Sequence, residues 1–443
     1  MPCLGGRLSF FLKPKRWSVP FEFSPHKLVY GGEALGHAEG RTVLVPRALP
    51  GERLEVETTR EAKGVVHARP LRILEAAPER VSPPCPYFGQ CGGCHYQHLD
   101  IEHQVHWKSE IVRETLQRIG KISWDREITV HQARPWNYRN QAQLKVAKAE
   151  SGEVTLGFFA GESHQLVSID ECLILSPRLN QVLGQLRRPE WLGRLRGCRE
   201  VELLADDQDE KVRITLHGNP ETGGPELLAE NLISEVDGVV AVAFHEGQST
   251  QLFGQADFFY QVGEFRYQLS AGAFFQSSRY LLPGLVDAVT ESPPGDLALD
   301  LYAGVGLFTL PLARRFRQVV GVESHPRAAR DLKANAESHG LEHVRAVGQR
   351  TSDFLRRFAQ ARPDLVVLDP PRGGAEKSTL KYLVDLQPRR VHYVACHPPT
   401  WARDLSFLLS RNYRLEEVEM FDCFPHTYHI ECLARLVRMG QAA

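Results

Sequence analysis

Asp296-Leu-Ala-Leu-Asp-Leu-Tyr302-Ala-Gly304-Val-Gly306-Leu-Phe-Thr309 is the stretch whose reading decides the fold. Asp296 to Leu301 is a short, mostly apolar run, the pattern of a strand buried on both faces of a parallel sheet. It runs into a glycine-bearing loop, with a helix expected from Leu310 to Arg315. Val319 to Val322 reads as the next strand and ends at Glu323. Glycines let such a loop pass close to a ligand, and an acidic residue closing the second strand can hold two ribose hydroxyls. A dinucleotide loop would carry a third glycine to admit a pyrophosphate, and this one does not. A nucleoside cofactor without phosphates, S-adenosylmethionine, fits the loop better than NAD.

Working outward, Val344 to Val347, Leu365 to Leu368, Val391 to Ala395, Arg414 to Phe421 and His429 to Val437 complete a seven-stranded, mostly parallel Rossmann-like sheet with a hairpin-like last pair. Two strand ends carry chemistry. Leu368 runs into Asp369-Pro-Pro-Arg372, which puts a carboxylate on a rigid turn. Ala395 runs into Cys396-His-Pro-Pro-Thr400, where two prolines stop the strand and Thr400 is the expected cap of a helix through Leu408. A lone cysteine is more often a packed thiol than a reactive one. Here the partial positive charge of the helix end would favour a thiolate. Open α/β sheets bind ligands at this edge, and three polar features converge on it.

A chain of 443 residues suggests two to four domains. Its 42% hydrophobic and 24% charged residues are those of an ordinary soluble globular protein. The net charge of -1 neither points to nucleic acid nor excludes a local basic face. No apolar run is long enough to span a bilayer. Residues up to about Phe23 read as a loosely structured basic leader, not a signal peptide, and a cytoplasmic location is expected, with a monomer as the default state. Lys27 to Leu74 alternates short strands with glycine-marked turns, consistent with a small, OB-like barrel of about five strands. Residues 20–80 are therefore expected to form this β-barrel, 81–271 a central α+β domain, and 272–443 the cofactor-binding domain. Within the central part, Leu99 to Ile119 has the spacing of an amphipathic helix and is expected to serve packing.

Nine cysteines in such a chain do not suggest a secreted disulfide scaffold. Cys85, Cys91 and Cys94 crowd one loop among glycines, a pattern suited to metal binding. A fourth sulfur is needed, and Cys172 is the best candidate by sequence order. Zinc and a four-iron cluster both accept four thiolates, although zinc ligands usually come as two short-spaced pairs.

These pieces together resemble the iron–sulfur branch of the RNA (uracil-5-)-methyltransferases, which act on ribosomal or transfer RNA. The resemblance is carried by Cys85, Cys91, Cys94 and Cys172, by Ala273-Phe-Phe-Gln276, Asp300 to Thr309, Leu368 to Arg372, Tyr393 to Thr400, Ala402-Arg-Asp404 and Phe424 to Glu431. It implies that the barrel is a TRAM domain binding RNA and that the four cysteines hold a [4Fe-4S] cluster. It implies further that Cys396 is the nucleophile and Glu431 the base, and that Gln276, Tyr302, Glu323 and Asp369 line the S-adenosylmethionine site. Phe274 falls where the family places an aromatic beside the target base, although Phe275 could also stack there. The sequence departs from the family pattern at His397, where Asn is usual, and at His426, where Gln is usual. Ala303 is a small residue at a position where small residues are common.

The chemistry needs these residue types. Carbon 5 of uracil is too weak a nucleophile to take a methyl group from a sulfonium. A thiolate adding at carbon 6 makes an enolate, and carbon 5 becomes reactive. A base must afterwards remove the proton from carbon 5 so that the thiolate can leave. Burial would raise the pKa of Glu431 towards a useful range. The target nucleotide must be flipped out or lie in a loop. Two other readings stand beside this one: an RNA-binding cluster protein with an inactive methyltransferase domain, and a small-molecule methyltransferase.

Overall fold

The strand expected at Asp296 to Leu301 is observed at Gly295–Leu301 in a computed structural model that describes residues 19–148, 152–161, 163–221, 223–247, 249–358 and 362–440. It lies in an eight-stranded sheet. The order is Val344–Gly348, Phe316–Glu323, Gly295–Leu301, Leu365–Leu368, Arg390–Ala395, Glu431–Arg438, Tyr413–Phe421 and Thr129–His131. The first five are parallel, as continuous apolar runs covered by helices should be. Glu431–Arg438 runs antiparallel between Arg390–Ala395 and Tyr413–Phe421. The sheet therefore has one strand more than the seven expected. Thr129–His131 joins it from far upstream, parallel to Tyr413–Phe421. Three residues carry no readable period, and only pairing with Glu419 to Phe421 makes them a strand.

The helix after the glycine loop is one turn, Thr309–Leu312, not a run to Arg315. The next strand starts at Phe316 and leaves no room for more. The last strand begins at Glu431, two residues later than expected. The amphipathic helix is Ile101–Arg118, capped by the Asp100 carboxylate on the His103 N–H.

Between residues 141 and 254 a second, seven-stranded sheet packs its apolar face on the helices Pro177–Leu186 and Gly224–Glu235. Leu179, Val201, Ile214, Leu232 and Val242 belong to its core. From Val81 onward the described residues form one compact unit, separate from those up to Arg80.

The N-terminal unit has six strands, ordered Phe21–Phe23, Arg53–Ala62, Val65–Glu75, Arg41–Pro46, Glu33–Ala38 and Pro25–Leu28. The two edge strands are consecutive in the chain, joined through Ser24, so the sheet has to curl back on itself. The count exceeds the five expected because Phe21–Phe23, assigned from sequence to the leader, is a strand paired with Leu54 to Val56. The rest of the leader, residues 1–18, lies outside the described residues. Among the described residues no helix is long and apolar enough to cross a membrane.

Candidate active site

Strand pairing sets the site. Leu301 pairs with both Val322 and Leu368, and Leu368 pairs with Tyr393. Glu323, Tyr302 and Asp369 therefore follow one another at the carboxyl edge of adjacent strands, and Cys396 lies just beyond the end of the next. Ala395 pairs antiparallel with Cys432. Continued by one residue, that register sets Cys396 against Glu431. Sequence reading thus named five residues that the sheet brings to one edge.

The glycine loop is shaped by its own contacts. Tyr302 has φ +66°, a left-handed conformation that a residue with a Cβ seldom adopts. A Cβ at Gly306, where φ is +97°, would lie 2.6 Å from Leu332 Cδ1 and 2.8 Å from Leu310 Cδ1. At the position of the missing third glycine, the Thr309 hydroxyl donates to buried Asp300 at 2.5 Å. Burial pushes the Asp300 carboxyl up to about 7. Glu323 accepts from the Gly304 N–H at 2.9 Å and the His325 N–H at 2.6 Å, which fixes its carboxylate beside the loop.

Gln276 stands on a separate loop, half-buried. That loop is held by Asp331, which accepts from Ser270 N–H at 2.8 Å and from its hydroxyl at 2.6 Å. Arg213 donates to the Leu269 and Ser270 carbonyls. Of the two aromatics here, Phe275 is buried against Tyr260 with ring centroids 5.0 Å apart. Phe274 is 74% exposed. Only Phe274 can meet a base without unpacking the core.

The Cys396 thiol is not held as a thiolate, contrary to the expectation drawn from the helix end. Burial pushes it up to about 11, with Glu431 and Asp369 adding to the shift and Arg372 opposing by charge and hydrogen bond. The helix cap is also different. Pro398–Leu409 is capped by His397, whose Nδ1 accepts from the Thr400 N–H at 3.3 Å, while Thr400 turns its hydroxyl to the Arg372 carbonyl at 2.9 Å. Glu431 is 3% exposed. Burial and the neighbouring Asp369 hold its carboxyl well above the usual range, and Arg372 pulls it down. Arg372 thus acts on both groups, a role that its position in the Asp369-Pro-Pro-Arg372 turn did not disclose.

Cys85, Cys91, Cys94 and Cys172 line one cavity of about 320 Å³, together with Arg139 and Phe158. The cysteine loop is seated by the Gly92 N–H on the Phe159 carbonyl at 2.9 Å. Cys172 is fixed by Asn180, which accepts from its N–H at 2.9 Å and donates to its carbonyl at 3.0 Å. Burial raises the thiols of Cys91, Cys94 and Cys172, Cys94 to about 12 and Cys172 to about 11, and each is raised further by neighbouring thiols. The Arg139 Nε is buried without a hydrogen-bond partner. Among the described residues no three His, Cys, Asp or Glu side chains close on a point that could hold a single ion.

The segment from Asp422 to Ile430 leads into Glu431 and is strapped down by buried Lys108. Its Nζ donates to Asp422 at 2.6 Å and to the Phe424 carbonyl at 3.0 Å. Both charged side chains are essentially inaccessible. Lys108→Met would leave Asp422 as an uncompensated buried charge. A loss of about 3–5 kcal/mol is expected, read as a lower denaturant midpoint, with Asp422→Asn restoring part of it.

The sequence profile of the tRNA (uracil-5-)-methyltransferase family matches residues 260–439. An RNA methyltransferase of Halalkalibacterium halodurans is 32% identical over 94% of this chain and 96% of its own. The 23S rRNA (uracil(1939)-C(5))-methyltransferase RlmD of Alkalilimnicola ehrlichii is 33% identical over 95% of this chain and 97% of its own. Among solved structures, the Pyrococcus abyssi tRNA (uracil-54, C5)-methyltransferase in complex with S-adenosyl-L-homocysteine has the same fold, with a TM-score of 0.73. It covers 94% of this chain and 100% of its own at 24% identity.

Proposed function

The chain belongs to the RNA (uracil-5-)-methyltransferase family, and from that premise we propose that it methylates carbon 5 of one uridine in ribosomal or transfer RNA through a covalent Cys396 adduct. The observation that carries this reading is the opposition of a thiol and a buried carboxyl, Cys396 and Glu431, across one pair of strand ends. S-adenosylmethionine supplies the methyl group and a sulfonium charge. Gln276, Tyr302, Glu323 and Asp369 would hold it, Glu323 by the ribose hydroxyls, as an acidic residue in this position can.

Cys396 releases its proton to solvent and the thiolate adds to carbon 6 of the uracil, so that a C–S bond forms, the carbon 5–carbon 6 double bond opens and the ring becomes an enolate. Arg372 is the cation that favours the thiolate. Carbon 5 then takes the methyl group, whose bond to the sulfonium sulfur breaks with S-adenosylhomocysteine as the leaving group. Glu431, once ionised, removes the carbon 5 proton, the ring double bond returns and the C–S bond breaks. Positive charge brought next to Asp369 would make both ionisations easier. Phe274, exposed at the loop, is the aromatic that would stack beside the extruded nucleotide.

The four cysteines fit a [4Fe-4S] cluster. They line one cavity with more room than a single ion needs, and the half-buried Arg139 turns an unpartnered, buried Nε to the same region, where an anionic group would be favoured. Bound there, the cluster would cross-link the loop carrying Cys85, Cys91 and Cys94 to the segment carrying Cys172. The curled N-terminal sheet is read as a TRAM module for RNA. Its exposed His26 and His37 rings stack at 5.4 Å, and such rings can take a base. The enzyme is expected to act as a monomer in the cytoplasm.

The test is nucleoside mass spectrometry of unmodified ribosomal and transfer RNA incubated with enzyme and S-adenosylmethionine. 5-Methyluridine at a single position in one RNA supports the proposal. Methylation of another base, or of free pyrimidines only, refutes it.

A further inference from the structure

Gln104 sits on the helix Ile101–Arg118 and is wholly buried. A buried amide costs stability unless its hydrogen-bonding groups are satisfied, and Gln104 meets that demand by bonding two different segments. Its Nε2 donates to the carbonyls of Tyr96 at 3.0 Å and Leu99 at 2.7 Å, in the segment that follows Cys94. Its Oε1 accepts from the His426 N–H at 2.8 Å, and Nε2 lies 3.2 Å from His426 Nδ1. The cysteine loop also reaches the same residue directly. The His95 and Tyr96 N–H groups donate to the His426 carbonyl at 2.7 and 2.9 Å.

His426 is where the strap before Glu431 turns. Its φ is +65°, a strained value for a residue with a side chain. Its ring lies on Trp136, centroids 3.9 Å apart and planes 25° from parallel. Two residues on, the Tyr138 hydroxyl donates to the Pro425 carbonyl at 3.1 Å, and the next residue, Arg139, lines the cysteine cavity. The cavity wall is thus bonded to the strap from two sides, and those bonds converge on the His426 turn. The strap ends five residues later at the carboxyl proposed as the base.

We propose that the cysteine loop, Gln104 and the His426 turn form one rigid piece that positions Glu431, so that the cluster acts on the proton-removal step and not on methyl transfer. This rests on the reading of the cysteines as cluster ligands and of Glu431 as the base. Gln104 is a positioning residue, touching neither RNA nor cofactor in the scheme. When the turn slackens, Cys396 still adds to carbon 6 and carbon 5 still accepts the methyl group. Glu431 no longer reaches the carbon 5 proton, the double bond does not re-form and the C–S bond persists.

The experiment compares anaerobically purified holoenzyme, the same protein stripped of iron, and the Gln104→Met variant, which keeps side-chain length without hydrogen bonds. Methyl-labelled S-adenosylmethionine is used in single-turnover reactions. Label in a denaturant-resistant protein–RNA complex is counted against label in free RNA, and amide hydrogen exchange is followed at His426, Thr427 and His429. In the stripped and Gln104→Met proteins, release of methylated RNA is expected to slow about tenfold or more, while formation of the labelled complex stays within about twofold. Exchange at the three amides rises in both. Gln104→Glu, which keeps an acceptor for the His426 N–H, should recover part of the release rate. Should Gln104→Met fail to fold, the stripped protein decides. Release unchanged, or formation and release falling together, overturns the positioning role. Absence of iron and sulfide from the anaerobic protein overturns the cluster reading beneath it.

Discussion

Cys396→Ala is expected to bind S-adenosylmethionine and RNA like the parent enzyme and to make no measurable 5-methyluridine. Removing an enzyme's nucleophile can cost about six powers of ten in turnover. Cys432, the neighbour across the strands, is fully buried, and its burial pushes the thiol well above the ordinary range. The pH dependence of the parent enzyme follows from the same environment. With the Cys396 thiol pushed up to about 11 by burial and by Glu431 and Asp369, the thiolate is the minor form throughout the neutral range. Raising the pH removes a proton from the group that must attack. In rapid-quench experiments with RNA in excess, covalent-complex formation should therefore rise with pH from neutrality upward, by up to about tenfold per unit. A flat profile would show that bound substrates have already ionised the thiol.

Glu431→Gln should do the opposite of Cys396→Ala: it keeps the covalent bond and loses the exit from it. The amide fills the same buried space but accepts no proton, so the methylated ring stays attached to Cys396. Turnover is expected to fall by about 10²–10⁴-fold, the usual worth of a positioned general base. A protein–RNA species that survives denaturant should accumulate to near one per enzyme. Double substitution with Cys396→Ala must abolish it. A fall in turnover without that species would remove Glu431 from the role of base.

The parallel strands were legible because buried strands are written as unbroken apolar runs, as in Leu365–Leu368, Leu-Val-Val-Leu. Their ends were legible because two of the runs stop at a carboxylate, Glu323 and Asp369, and a third is stopped by the two prolines that follow Cys396 and His397. The register between those ends was not. It comes from pairing, and it alone sets Glu431 against Cys396. Gln104 and Lys108 were missed for a related reason. Pattern reading assigns polar residues of an amphipathic helix to solvent, and these two face inward because their partners, His426 and Asp422, lie more than three hundred residues away in the chain. The His397 cap was hidden because histidine is an uncommon cap, and Thr400 offered a more familiar one. The raised Cys396 thiol escaped because a helix end argues for a thiolate only when burial and two neighbouring carboxyls do not outweigh it.

The most direct test is a mass measurement on the bond itself. The enzyme is mixed with its RNA and S-adenosylmethionine, quenched in denaturant, and digested with nuclease and protease. The peptide containing Cys396 should carry the mass of a methylated uridine nucleotide, strongly enriched in Glu431→Gln. An unmodified Cys396 peptide in Glu431→Gln, with 5-methyluridine still formed by Cys396→Ala, would contradict covalent catalysis by this residue.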